Sequence, residues 1–222
     1  MQVSAIDQLV TVDELHLRRS LPELRSWYFT VQQQLCATSA SRAQARQPHK
    51  LLKNFCDEVR PVLAFLDHEF PDTRALIYFP AEGADDAVID GIEGHATSIS
   101  IQIVTGFRCE EYSRRMQMLS RTGYAPAYGP VPTPDANYEP RAVRREDRIG
   151  AAAKAISTNL TKKSAMHYSH KPWLIVDTDM DNFETQDIDA LVERVTSEAT
   201  KDSFARTYLI DTTPPIHCRR LT

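Results

Sequence analysis

Apolar residues recur along the chain at two different periods, and the changes of period predict the order of helices and strands. A return every three or four positions predicts helices over 21–37, 49–68, 110–121, 143–166 and 187–200. Short apolar or alternating runs predict strands over 75–79, 87–92, 96–105, 173–176 and 205–210. Because proline has no amide hydrogen, Pro61 requires a kink or a break in the second helix.

This order of elements predicts an α/β fold with a central mixed sheet of about five strands, helices on both faces, and N-terminal helices in front. We divide the chain into an N-terminal helical extension, 1–48, and an α/β domain, 49–222. In the strand over 96–105, isoleucines alternate with Ser98, Ser100 and Gln102. We therefore expect one face of this strand to meet a helix-covered core and the other face to present small polar groups.

Composition limits the class of protein. The chain has 222 residues, of which 42% are hydrophobic and 25% charged, which excludes disorder and low complexity. The longest apolar run is about five residues, against the roughly 20 that cross a bilayer, and the first ten residues lack the pattern of a signal peptide. We expect a cytoplasmic protein without membrane contact. The cysteines are scattered singly, which favours reduced thiols over disulfides or a zinc knuckle.

Net charge is −4, so any binding of nucleic acid must depend on a local patch. One basic segment fits, and its members are Arg141, Arg144, Arg145, Arg148, Lys154, Lys162 and Lys163. The segment has two interpretations: a solvated helix face, or a surface that contacts phosphates. The preceding stretch, 124–140, is rich in proline and aromatic residues and predicts a long loop that could bind a protein partner. Nothing in the sequence indicates an oligomeric state.

An aspartate and a glutamine lie on consecutive predicted strands. Asp90 closes the run AVID, and Gln102 lies within ISIQIV. Together with the order of elements, this pair resembles the PD-(D/E)XK nuclease superfamily, which has the restriction-endonuclease-like fold. That family presents an acid on one strand and an acid-x-lysine pair on the next, often with a glutamate from the preceding helix. The resemblance implies that Asp90 and Gln102 hold Mg²⁺ and that Glu69 joins the catalytic site. The position of the family's lysine is occupied by Val104, so Lys154 is the candidate replacement, with Lys162 and Lys163 behind it.

The implied function is that of a nuclease-like protein that engages nucleic acid, with metal-dependent hydrolysis of phosphodiesters. A divalent cation would polarise the phosphodiester and lower the pKa of an attacking water. The alternative is a catalytically inactive protein of the same fold that binds nucleic acid or protein. The catalytic hypothesis requires the side-chain oxygens of Asp90 and Gln102 to lie within about 6 Å of each other. Otherwise Asp90 only caps the turn before Gly91.

Two other groups of residues compete as sites. Asp177, Asp179 and Asp181 follow the buried run WLIV, where open α/β sheets bind ligands, although an acidic loop that caps the next helix has the same pattern. His167 and His170 are three positions apart and could bind a transition metal, but histidines at a helix end are also favoured by the helix dipole.

Overall fold

The computed structural model describes residues 9–39, 41–42, 50–81, 85–95, 97–106, 109–123, 125, 144–178, 183–196, 203–212 and 216–222. Its helices are α1 Val12–His16, α2 Leu21–Cys36, α3 Lys50–Asn54, α4 Arg60–Glu69, α5 Cys109–Thr122, α6 Arg145–Ser164 and α7 Thr185–Thr196. Its strands are β1 Arg19–Ser20, β2 Leu76–Tyr78, β3 Ala87–Asp90, β4 Ile99–Thr105, β5 Trp173–Thr178, β6 Arg206–Asp211 and β7 His217–Arg220. The predicted protein-binding loop, 124–140, lies outside the described residues except for position 125, and so do Arg141, Asp179 and Asp181.

The helix predicted over 49–68 is interrupted as its proline requires. A single π-helical turn, Phe55–Val59, joins α3 to α4, and Pro61 lies in the first turn of α4. Proline cannot donate the amide hydrogen bond of a regular helix, and its ring crowds the carbonyl four residues earlier. The wider π turn accommodates this defect while Phe55 and Val59 stay buried.

The sheet of the described residues has seven strands in the order β1-β2-β3-β4-β5-β6-β7. From β1 to β4 each pair is antiparallel, β4, β5 and β6 run parallel, and β7 returns antiparallel. The prediction of a mixed sheet is confirmed, but the predicted number of about five strands is too low. The additional strands are the two-residue β1 and the polar β7, which closes the far edge.

Helices cover both faces of the sheet, as predicted. On one face, α2, the π turn and α4 share a core with the inward side chains of the sheet, and its aromatic centre is Phe65, Trp173 and Tyr208. On the other face, α6 and α7 pack on Leu174, Val176 and Leu209. The expectation that one face of β4 presents small polar groups fails at Gln102, which is 1% exposed.

The N-terminal helices contribute to the first of these two cores through Leu15, Leu21, Leu24 and Leu35. The predicted domain boundary at residue 48 falls within 43–49, which lies outside the described residues. None of the helices among the described residues has the length and apolar character that crossing a membrane requires.

Candidate functional site

Asp90 and Gln102 lie apart. The register of β3 on β4 pairs Ile89 with Ile99, so Asp90 falls opposite position 98, four residues along β4 from Gln102. At about 3.3 Å per residue the separation is roughly 13 Å. Asp90 instead forms an ion pair with Arg18, with 3.3 Å between Oδ2 and Nη1. The structure therefore does not bring Asp90 and Gln102 together as the implied metal site requires, because the register of β3 on β4 places them four positions apart.

The aspartate that stands beside Gln102 is Asp86, one residue before β3. Since Ala87 pairs with Ile101, Asp86 comes opposite Gln102. Its backbone N–H donates to the Ile101 carbonyl at 3.0 Å, and its Oδ2 accepts from the Ile103 N–H at 2.6 Å. Lys163, at the end of α6, reaches the same oxygen with Nζ at 3.4 Å. Strand β4 and Lys163 thus hold one carboxylate oxygen of Asp86 in place.

Gln102 connects β4 to the segment that follows α6. Its Oε1 accepts from the Tyr168 hydroxyl at 3.4 Å, and its Nε2 donates to Asp85 Oδ1 at 3.5 Å. His170 contacts the same oxygen of Asp85, with Nε2 at 3.2 Å. The carboxamide oxygen that the resemblance assigned to a metal therefore already accepts a partly buried hydrogen bond. His170, predicted as one of a metal-binding pair, has a carboxylate as its neighbour.

Glu58 of the π turn completes a group of charges around Asp86. Burial, and after it the negative charges of Asp86 and Asp57, raise the pKa of Glu58 to about 7 against the opposing effect of Lys53 and Lys163. Lys53 also forms an ion pair with Asp57. We name these five residues the acid–lysine cluster. Carboxylates whose negative charges lie close together are a favourable setting for a divalent cation, which would stabilise all of them as anions.

Asp177 lies next to this cluster, at the C-terminal end of β5. It is 2% exposed and contacts Arg60 Nη2 and Thr212 Oγ1, both at 3.2 Å. Burial raises the pKa of Asp177 to about 6, against the opposing effect of Arg60. Of the aspartate triplet predicted as a site, the described member is thus part of an interior ion pair.

The other predicted catalytic residues lie away from the acid–lysine cluster. Glu69 ends α4 beside Cys218 of β7, which is four strands from β3 in the sheet. Lys154 is exposed on α6. It is nine residues from Lys163, which is about 13 Å along the axis and half a turn around it. The predicted site of Glu69 and Lys154 with Asp90 is therefore not assembled.

The predicted basic surface is divided by ion pairs. Arg145 and Arg148 both bind Asp187 of α7, the latter with 2.9 Å between Nη2 and Oδ2. Burial raises the pKa of Asp187, but the Glu184 N–H and the two guanidinium groups outweigh it and hold the pKa below its usual value. The exposed members of the surface among the described residues are Arg144, Arg145, Lys154 and Lys162, of which Arg145 is held by Asp187.

Sequence reasoning missed Glu58 and Asp86 and ranked Lys163 below Lys154. A signal existed for the lysine, because Lys163 follows Ile149, Ile156 and Leu160 on the buried stripe of α6. A lysine on the buried stripe of a helix is expected to contact a negatively charged side chain. Lys154, in contrast, lies on the solvent side of the helix. No comparable signal singled out Asp86, because it lies in the polar run EGADD between two predicted strands.

No protein-family model matches the chain, no curated protein matches it significantly, and no solved structure matches it. The functional argument therefore depends on the acid–lysine cluster and on the arrangement of the strands that carry it.

Proposed function

We propose that this protein is a nuclease-like hydrolase of phosphodiesters whose divalent cation, Mg²⁺ in the first instance, is held by Glu58 and Asp86. The observation that carries the proposal is the ion pair of Lys163 with Asp86, at 3.4 Å, beside a glutamate whose pKa those charges perturb. Two carboxylates and a lysine are the side chains that the PD-(D/E)XK resemblance requires. Here they come from a helical turn, the start of β3 and the end of α6.

The arrangement of elements supports the same proposal. A helix precedes three antiparallel strands, β2 to β4, and a helical segment then leads to β5, which is parallel to β4. The acid–lysine cluster lies where β4 extends past the start of β3. In α/β sheets, ligands bind beyond the carboxyl ends of parallel strands, and β4 and β5 end on this side.

Each residue of the cluster has a distinct role in the proposed reaction. Within the described residues, both side-chain contacts of Asp86 use Oδ2, so Oδ1 would be the oxygen available to a cation. Glu58 supplies a second carboxylate oxygen, the ligand type that Mg²⁺ prefers. When bound, the cation polarises the phosphate and lowers the pKa of a water. Lys163 stabilises negative charge on the phosphate oxygens.

The exposed lysines of α6 provide the contact with nucleic acid. Lys154 and Lys162 are eight residues apart, so they lie about 12 Å from each other along the solvent side of the helix. Contacts from such residues to phosphates orient a strand without reading its bases, and they make the affinity fall with salt.

A catalytically inactive binding protein of the same fold is the second candidate. The observation in its favour is Gln102, whose position carries an acid in the family and whose carboxamide oxygen accepts from Tyr168 instead. Under this alternative the acid–lysine cluster only stabilises the fold, and the lysines of α6 carry the interaction.

Cleavage of supercoiled plasmid and single-stranded DNA, with Mg²⁺ or Mn²⁺, tests the first candidate. Asp86→Asn is compared with Asp90→Asn, which makes the same chemical change four residues along the chain and outside the cluster. We expect Asp86→Asn and Glu58→Gln to lower cleavage by at least about 100-fold and Asp90→Asn to leave it unchanged. Equal activity of Asp86→Asn and the parent protein, with both folded by circular dichroism, would refute the proposed site.

DNA binding measured by fluorescence anisotropy at several salt concentrations tests the second candidate. Without cleavage, affinity that weakens in Lys154→Ala/Lys162→Ala, with a salt slope smaller by about 1 per lost contact, supports the inactive binding protein. Absence of both cleavage and salt-dependent binding contradicts both candidates.

A further inference from the structure

Three side chains of different chemistry meet at the end of α4, away from the acid–lysine cluster. The Nδ1 atom of His68 lies 3.1 Å from Oε1 of Glu69, and Sγ of Cys218 lies 4.0 Å from the same oxygen. Their ligand atoms all lie within 4.8 Å of one another. We propose that these residues form a binding site for a transition-metal ion of the Zn²⁺ type.

The fold holds the three residues in place from two independent elements. α4 packs across β5 and β6 and ends at Glu69, where the Phe70 N–H closes the last turn by donating to the Leu66 carbonyl at 2.9 Å. On the edge strand β7, Cys218 pairs with Ile210 of β6 and belongs to the same buried core as α4. The thiol is therefore fixed by the sheet, and the imidazole and carboxylate are fixed by the helix end.

The distances of Glu69 Oε1 from His68 Nδ1 and from Cys218 Sγ are close to those of a tetrahedral site. Zinc bonds of about 2.0–2.3 Å to nitrogen, oxygen and sulfur place neighbouring ligand atoms about 3.3–3.6 Å apart. The distances of 3.1 Å and 4.0 Å differ from those values by a few tenths of an ångström, and the remaining separation, between the His68 ring nitrogen and Cys218 Sγ, is at most 4.8 Å, which rotation of the exposed His68 side chain can shorten. Thiolate and imidazole are ligands for Zn²⁺ and related ions, whereas Mg²⁺ prefers oxygen ligands alone.

The surroundings give a metal access from solvent. The side chains of His68 and Glu69 are 43% and 30% exposed, whereas Cys218 is buried. Burial first, and the charge of Glu69 second, raise the pKa of Cys218 to about 12 in the metal-free protein. The incoming cation therefore forms its bond to sulfur as the S–H bond breaks and the proton passes to water, with no change of oxidation state. The fourth position of the metal is left to a water molecule.

This site is separate from the one proposed for hydrolysis. Glu58 and Glu69 are eleven residues apart along one nearly continuous helical run, which is about 16 Å. A metal ion bound at one site therefore cannot contact the residues of the other site. Either proposal can fail while the other holds.

Titration of the metal-free, full-length protein with Co²⁺ tests the inference, because a cobalt–thiolate bond gives a charge-transfer absorption in the near ultraviolet. We expect this band in the parent protein and in Cys56→Ser, a control at a partly buried thiol of the π turn, and its loss in Cys218→Ser. Displacement of Co²⁺ by Zn²⁺, but not by excess Mg²⁺, is the expected selectivity.

The helix ligands supply a second measurement. In competition with a chromogenic chelator, His68→Ala and Glu69→Gln are each expected to weaken Zn²⁺ binding by at least about tenfold. If Cys218→Ser does not fold, these two variants decide the question. Co²⁺ binding without a thiolate band, a band that survives in Cys218→Ser, or unchanged Zn²⁺ affinity in both helix variants would overturn the inference.

Discussion

Replacement of the buried carboxylate of Asp177 should change how stability depends on pH. Its pKa is raised from 3.8 to about 6, mainly by burial. Between these two values the folded protein holds a proton at this position that the unfolded chain has released. The free energy of unfolding therefore falls as pH rises from about 4 to about 6, and this contribution is constant above that range. Asp177→Asn removes the titrating group.

The size of the effect follows from the two pKa values. They differ by about 2, and each whole pKa unit corresponds to about 1.4 kcal/mol, which gives about 3 kcal/mol. Because Asp177 is 2% exposed, screening by solvent reduces this figure little. The substitution also changes packing and hydrogen bonding by an amount that is nearly the same at every pH, so the comparison uses the difference between the two pH profiles.

Urea denaturation at several pH values between about 4 and 7 provides the measurement. We expect the parent protein to lose about 3 kcal/mol more than Asp177→Asn over this range. Asp72→Asn, at an exposed aspartate, is the matched control and should follow the parent profile. Parallel pH profiles for the parent protein and Asp177→Asn would refute the assigned effect of burial. A parent protein that gains stability relative to the variant as pH rises would refute it as well.

Further changes test the packing, each measured by urea denaturation. A methyl group on Gly106 would lie 2.4 Å from Cγ2 of Thr178, so Gly106→Ala should cost about 1–3 kcal/mol; its control, Gly150→Ala within α6, should be neutral or stabilising by about 0.5–1 kcal/mol. Phe65→Ala removes the centre of the aromatic core and should cost about 3–5 kcal/mol. Asp187→Ala leaves two arginines without their carboxylate and should cost about 1–3 kcal/mol. Losses below about 0.5 kcal/mol for Gly106→Ala, Phe65→Ala or Asp187→Ala would contradict these assignments.

Hydrophobic periodicity predicted the long elements because each has one face in a core. The helix expected over 21–37 is observed as Leu21–Cys36, and that expected over 143–166 as Arg145–Ser164. β7 was missed because its sequence, HCRR, buries one side chain and therefore has no apolar alternation to detect. A short polar edge strand is specified by its partner strand rather than by its own residues.

The error at the candidate site came from strand register. Asp86 and Asp90 are four positions apart, so the alternation of a strand puts both on the same face, and sequence pattern cannot distinguish them. Their different partners, Lys163 for one and Arg18 for the other, follow from the pairing of β3 with β4. Such pairing depends on the packing of the whole sheet and on the turn between the strands.

Under the proposed function, Lys163 and the cation act on the same carboxylate. In the metal-free protein the ammonium of Lys163 lies 3.4 Å from Oδ2 of the partly buried Asp86 and partly neutralises its charge. Under this proposal, a dication held by Asp86 would take over that neutralisation and would leave the lysine available to an incoming phosphate. The partial burial of Glu58 also favours binding of the metal before the phosphate. A carboxylate with little access to water is stabilised more strongly by a cation than an exposed one. Under the proposed function, the acid–lysine cluster would therefore couple the binding of metal to the binding of phosphate through one aspartate.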